Sequence, residues 1–340
     1  MHIALKPIGE QVIVITGASS GIGLAAARLA AHEGAGVVLA ARNAADLASA
    51  VETIRSAGGR AVPQVADVSD PAQVAQIAET ALREYGGIDT WVNNAAVAIY
   101  GRLVDVSLDD MRRQFDVNYW GQVYGSLVAV EHLAAAGGAL INVASAVADR
   151  AIPLQGNYCA AKHALKGFTD ALRMELAEAG IPISVTLIKP SSIDTPLFEK
   201  AKTYLGVEPQ PVPPVYAPEL VAGAIVAAAQ RPLRDVIVGG MGKVLSLATH
   251  VPRLADRYML RSTFAAQLTD EPVGNRPSNL YEPVAHDGGE RGRNWKGRTR
   301  QRSVYTGSKL HPRRAVALAA AAVAGVTRVA RRWRRRDDID

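Results

Sequence analysis

Residues 11–23 read Gln11-Val12-Ile13-Val14-Ile15-Thr16-Gly17-Ala18-Ser19-Ser20-Gly21-Ile22-Gly23. Val12–Ile15 is a short apolar, β-branched run, which reads as a buried strand. Three glycines follow at once, and Ile22, Ala26, Leu29 and Ala30 then recur at helical spacing. Glycines in such a strand-to-helix turn let the backbone bend sharply and approach a pyrophosphate. The helix N-terminus adds N–H donors and a favourable dipole. The spacing is G-x-x-x-G-x-G rather than G-x-G-x-x-G. Glycine also serves purely structural turns, so the weight of the reading lies in where this turn falls, after the first strand of an alternating chain.

The alternation continues outward. Gly36–Ala41 is a second apolar strand, and Asn43–Ala57 a second helix with Asn43 as its N-cap. Arg60–Ala66, Pro71–Tyr85 and Ile88–Asn93 repeat the pattern. A long helix over Ser107–Ala136 precedes a strand at Ala139–Ser145. Helix Gln155–Gly180, strand Pro182–Lys189, helix Pro218–Gln230 and strand Asp235–Gly239 complete the series. Seven strands linked by helices predict an α/β fold, a doubly wound parallel sheet of the Rossmann type with right-handed crossovers. Ser191–Pro218 holds six prolines and reads as an irregular loop long enough to act as a lid.

The rhythm stops after Gly242. Residues 1–242 carry 18 Lys+Arg against 23 Asp+Glu, and residues 243–340 carry 20 against 9, within a chain whose net charge is +6. This predicts a catalytic and cofactor-binding domain over 1–242 and a basic C-terminal extension over 243–340. In the extension, Lys243–Gln267 and His311–Arg336 read as helical, and Thr269–Ser308 as extended or disordered. Truncation after Gly242 is expected to leave fold and chemistry largely intact. Arg291–Arg302 and Arg331–Arg336 are basic clusters, and Ala315–Val329 between them is apolar. A solvated tail is the plain reading, and peripheral contact with an anionic membrane the alternative. Nucleic acid is the weakest, since no nucleic-acid motif accompanies the charge. Cys159 is the sole cysteine, which rules out an internal disulfide and a cysteine-based metal cluster. Met1–Gln11 has no apolar run of the kind a secretory signal needs, so a cytoplasmic location is expected.

Three further signals concern chemistry. The second strand ends on Ala41-Arg42, where an NAD site usually has an acidic residue for the ribose 2′-hydroxyl. A guanidinium there suits a 2′-phosphate, so NADP(H) is the expected cofactor and NAD(H) the alternative. Tyr158 and Lys162 stand four residues apart, on one helix face. An ammonium beside a phenol favours phenolate, which equips the tyrosine to exchange a proton with a carbonyl or an alcohol. Ser145 falls at the carboxyl end of the fifth strand, where such sheets bind ligands. Taken singly, these residues also read as a surface arginine, a surface pair and a turn cap.

Taken together, they resemble the short-chain dehydrogenase/reductase family over roughly residues 8–240. Thr16–Gly23 is similar to its TGxxxGxG motif. Asn93-Asn94-Ala95-Ala96 is similar to its NNAG motif with Ala96 for Gly, and Lys189-Pro190-Ser191 to its PG motif with Ser191 for Gly. The resemblance implies a catalytic tetrad of Asn118, Ser145, Tyr158 and Lys162, with Asn118 placing a water that relays protons to Lys162. It implies no metal. It also implies cofactor contacts from Gly17, Ser19, Ser20, Gly21, Ile22, Gly23, Arg42, Asp67, Val68, Asn94, Ala95, Pro190, Ile193 and Thr195, besides Tyr158 and Lys162. A homodimer or homotetramer through the Ser107–Ala136 and Gln155–Gly180 helices is expected on the same ground. The expected pocket wall, Val97, Val147, Ile152, Pro153 and Leu154, is apolar and favours a hydrophobic ketone or alcohol as substrate.

Overall fold

The computed structural model describes residues 3–311. Seven strands form one parallel sheet: β1 (Val12–Thr16), β2 (Gly36–Ala41), β3 (Arg60–Val65), β4 (Thr90–Asn93), β5 (Gly138–Val143), β6 (Ile183–Pro190) and β7 (Asp235–Val238), in the order β7-β6-β5-β4-β1-β2-β3. β1 is paired on both sides, Ile13 opposite Val37 and Thr90, so its β-branched run is buried from every direction. The order turns back between β1 and β4. That switch point opens the crevice in which α/β sheets bind ligands.

Local signals start and stop the helices as the sequence suggests. Asn43 caps α2 (Ala44–Ser56) by accepting from Asp46 N at 3.1 Å. Asp70 caps α3 (Pro71–Tyr85) from Ala72 N, and Gly86 ends it in the left-handed conformation at φ 81°. α1 (Gly21–His32) and the helix Pro218–Gln230 cover one face of the sheet with alanines, among them Ala26, Ala30, Ala224 and Ala228.

The stretch predicted as one helix over Ser107–Ala136 is interrupted. α4 (Leu108–Phe115) passes into a π-helical turn, Asp116–Trp120, before α5 (Gly121–Leu133). One extra residue per turn leaves the apolar spacing of the flanks intact, so periodicity does not betray it. The turn carries Asn118 inward, fully buried. α6 (Gly156–Glu178) carries Tyr158 and Lys162; α7 is the helix Pro218–Gln230.

The extension folds back on the sheet. α8 (Gly240–Leu247) and α9 (Pro252–Tyr258) follow β7 directly. Leu268–Pro272 pairs antiparallel with Val207–Pro209, which pins the proline-rich loop. Thr269–Ser308, read as extended or disordered, runs without a long regular element and ends in α10 (Val304–Leu310). Thr306 Oγ1 accepts from Gly239 N at 2.9 Å, and Leu310 joins the apolar core under α7. Contacts thus run across position 242 in both directions. Much of the first basic cluster is neutralised within the molecule: Arg291 pairs with Glu219, Arg293 with Glu199 and Lys296 with Glu271. Ala315–Val329 and Arg331–Arg336 lie outside the described residues. Among the described residues no helix is long and apolar enough to cross a membrane, and no cluster of His, Cys, Asp and Glu could hold a metal ion.

Candidate active site

One continuous cleft, about 700 Å³ in volume, runs from the glycine turn across the carboxyl ends of the strands to α8 and α9. Gly17, Ser19, Ser20, Gly21 and Ile22 border one end, and Arg42, Asp67 and Val68 the adjoining corner. Asn94, Ala95, Pro190, Ile193 and Thr195 line the middle, with Ser145, Tyr158 and Lys162 below them. Of the residues expected from the sequence, Gly23 and Asn118 do not reach the cleft. Both stand behind its wall. A Cβ on Gly23 would lie 2.2 Å from Gly17 O, so this glycine permits the turn to close. Asn118 accepts from Val97 N at 2.8 Å and donates to Val97 O at 2.9 Å. Its side chain braces the loop after β4.

Thr16 organises the same loop. Its hydroxyl accepts from Asn94 N and Ala95 N, while Asn94 Nδ2 donates to Thr16 O at 3.0 Å. Ser191, standing where glycine is expected, donates to Gly239 O and accepts from Gly242 N at 2.9 Å. The substitution therefore ties the end of β6 to the start of α8.

Tyr158 and Lys162 both sit inside the protein, 9% and 1% exposed. Lys162 Nζ donates to Val143 O at 3.0 Å and lies 5.6 Å from the Tyr158 ring centroid. Burial pushes the Lys162 ammonium down to about 7. Burial also holds the Tyr158 phenol well above its ordinary value, the neighbouring Cys159 adds to this, and a hydrogen bond with Ser145 works against it. Lys162 does not figure among the groups that shift the phenol, and desolvation carries it upward instead of down. Ser145 also caps the turn Ala146–Ala148, accepting from Val147 N at 3.3 Å, so cap and site residue coincide. His163 is exposed and bonded to Cys159 O, off this face.

Asp67 is held by Ser69 and by Arg113, whose Nη2 lies 2.5 Å from Asp67 Oδ2. Burial opposes its ionisation, but the Ser69 and Arg113 bonds prevail and keep the carboxyl below its usual range.

The apolar wall is only partly the expected one. Val97, Val147 and Ile152 line the cleft, whereas Pro153 and Leu154 do not. Leu154 turns under it with a positive φ of 66° and is buried. The extension adds Leu245, Ala248, Val251, Leu254 and Tyr258, and the proline-rich loop adds Phe198, Val212, Pro213 and Pro214. At the other end the extension crosses the corner formed by Arg42 and Asp67. Arg42 Nη1 donates to Tyr281 O at 2.7 Å and Nη2 to Asn279 O. Ser19 Oγ donates to Asp287 Oδ2 at 2.5 Å, and Gly21 N to Gly289 O at 3.0 Å. Sequence reasoning missed these tail residues. The one local signal was Leu280, a lone leucine in a Pro- and Gly-rich stretch.

The cleft suits a nicotinamide dinucleotide. A tight glycine turn faces it at a helix N-terminus, and the buried Asn279 Oδ1 on its lining has no hydrogen-bond partner among the described residues. The family pattern described as short chain dehydrogenase matches residues 11–205, more than half of the chain. The chain belongs to the short-chain dehydrogenase family. An uncharacterized oxidoreductase of Bacillus subtilis, YxnA, is 45% identical to this short-chain dehydrogenase over 328 residues, 95% of this chain and 91% of its own. That match runs well into the extension. A 3beta-hydroxysteroid dehydrogenase of Mediterraneibacter gnavus is 35% identical over 193 residues, 56% of this chain and 69% of its own. A short-chain dehydrogenase/reductase from Burkholderia phymatum, solved in complex with NAD, superposes with a TM-score of 0.63 at 27% identity, over 79% of this chain and all of that one. This short-chain dehydrogenase is accordingly an oxidoreductase with a Rossmann-like fold.

Proposed function

We propose that the protein is an NADP(H)-dependent oxidoreductase that interconverts a hydrophobic secondary alcohol and its ketone, with Tyr158 as general acid and base. The observation that carries this is the meeting of Tyr158, Ser145 and buried Lys162 on the floor of an apolar chamber continuous with the glycine turn. A nicotinamide dinucleotide bound in the cleft supplies or accepts the hydride. Ser145 orients and polarises the substrate oxygen. Tyr158, kept protonated at neutral pH by burial, gives its proton to that oxygen in the reducing direction and takes it back in the oxidising one. Lys162 places a titratable ammonium 5.6 Å from the centroid of the Tyr158 ring.

Ala41 and Arg42 at the end of β2 support NADP(H) over NAD(H). Arg42 uses two of its five N–H groups on the tail, which leaves three for a 2′-phosphate. Leu108, Trp120, Leu127 and Met174 are exposed on α4, the π-turn, α5 and α6, which supports a homodimer or homotetramer through those helices. Val244, Leu247, Val251 and Leu254 are exposed beside Lys243, Arg253 and Arg257, which suits peripheral contact of a cytoplasmic enzyme with anionic lipid.

The test is Tyr158→Phe, assayed by the single-turnover absorbance change of enzyme-bound nicotinamide on mixing with each of a panel of ketones and secondary alcohols. Turnover should fall by about 10²–10⁴-fold while cofactor still binds. Retention of more than a few per cent of the rate would refute the role given to Tyr158.

A further inference from the structure

We propose that residues 279–290 form a permanent roof on the nucleotide end of the cleft, and that the cofactor stays beneath it from one turnover to the next. Given the reading of the cleft as a nicotinamide-dinucleotide site, this segment crosses the side by which a dinucleotide would enter and leave.

It is anchored from within. Leu280 is fully buried in the apolar cluster that includes Val68 and Val117, and Arg113 Nε holds its carbonyl at 3.0 Å. Asn43 Nδ2 holds Val284 O at 2.8 Å. The second anchor is ionic. Lys200 Nζ reaches Ser20 Oγ at 2.8 Å and Asp287 Oδ1 at 3.3 Å, and both charged groups are largely buried. Opening the roof gives up this pair, the Lys200–Ser20 contact and the burial of Leu280 together.

The segment is a roof and not a plug. The cleft of about 700 Å³ reaches as far as this segment, and Gly21 and Arg42 border it together with Asn279, Pro283 and Asp287. Asn279 Oδ1 is buried there without a donor. It faces the same corner as Arg42 and Asp67, so an adenine amino group is the donor whose chemistry it fits. Asn279 is thereby a cofactor-binding residue contributed by the tail.

A retained cofactor changes the reaction. Hydride must then both arrive and depart through the apolar chamber. A secondary alcohol gives up its carbinol hydride and, to Tyr158, its hydroxyl proton, and leaves as the ketone. A second carbonyl compound enters the same chamber, takes both back and leaves as an alcohol. The net process moves two hydrogens from alcohol to carbonyl and consumes no dissolved cofactor.

The experiment compares the full chain with Asp287→Ala and with the double variant Lys200→Met/Asp287→Leu, which removes the buried pair without leaving a lone charge. Each is gel-filtered, the nicotinamide released on denaturation is measured, and the release rate of bound NADPH is followed by fluorescence against excess NADP⁺. The full chain should keep close to one nicotinamide per chain, and both variants should release it at least about tenfold faster, the scale of one lost charge-assisted bond. Release from the full chain as fast as from the variants would overturn the inference and leave the proposed oxidoreductase intact. Equal retention in all three would also overturn it. Absence of nicotinamide binding by any form would overturn both.

Discussion

Replacing Lys162 by Met should make the protein more stable at neutral pH while removing its activity. Burial lowers the Lys162 ammonium from 10.5 to about 7. At about 1.4 kcal/mol per pH unit, the ceiling on the penalty is about 5 kcal/mol. The lost hydrogen bond to Val143 O returns about 1 kcal/mol of that, and Gln122 Nε2 still donates to the same carbonyl. A net gain of about 2–4 kcal/mol at pH 7 follows, since methionine fills nearly the same volume without a charge. The pH dependence is the sharper part. Between pH 7 and 10.5 the unfolded chain holds the lysine proton and the folded chain does not, so native stability rises with pH by up to about 1.4 kcal/mol per unit. Below pH 7 both forms hold it and the penalty is constant. Methionine has no proton to exchange, so the gap between the two proteins should be largest at and below pH 7 and close towards pH 10.5. Urea unfolding across this range checks both statements. Parallel stability–pH curves, or a variant less stable than wild type at pH 7, would refute the claim that burial of a charge-bearing group is being sustained there for catalysis.

Gly23→Ala should disrupt the glycine turn, since its Cβ would fall 2.2 Å from Gly17 O and 2.7 Å from Asn94 Nδ2; cofactor titration should show a loss of at least about tenfold and a melt a loss of about 1–3 kcal/mol, whereas unchanged binding would mean the loop relaxes freely. Titration of cofactor-stripped protein with both dinucleotides should favour NADP(H) by about tenfold or more, the scale of one charge-assisted phosphate bond. Equal affinities would remove Arg42 from that role.

The strands of the sheet were legible because most are short apolar runs set between helical segments, β1 and β2 above all. Gly36–Ala41 was bounded to the residue. The Tyr158–Lys162 pair and the glycine turn could be read for a related reason: their spacing is fixed by local geometry, four residues on a helix or seven in a turn. The π-turn at Asp116–Trp120 was invisible because inserting one residue leaves both flanking periodicities undisturbed. The tail contacts were invisible for a different reason. Asn279, Leu280 and Asp287 meet partners more than 160 residues away, and a segment without internal periodicity carries no trace of what it will lie against. The direction of the Tyr158 shift was not legible because neighbours in sequence disclose proximity to Lys162 but not the burial of both.

The roof over the nucleotide end has a consequence for the order in which the protein is made. Ser19 precedes Asp287 by 268 residues. At about 5–20 residues per second the ribosome needs roughly 15–50 s to cover that distance. Every strand of the sheet and the whole glycine turn are synthesised before this interval ends, the last strand closing at Val238. The dinucleotide cleft exists as an open groove, exposed to the cell's pool of small molecules, before the segment that covers it has been synthesised. Loading and sealing would thereby be separated by translation itself, and the finished enzyme would hold the nucleotide that occupies the groove when the segment closes.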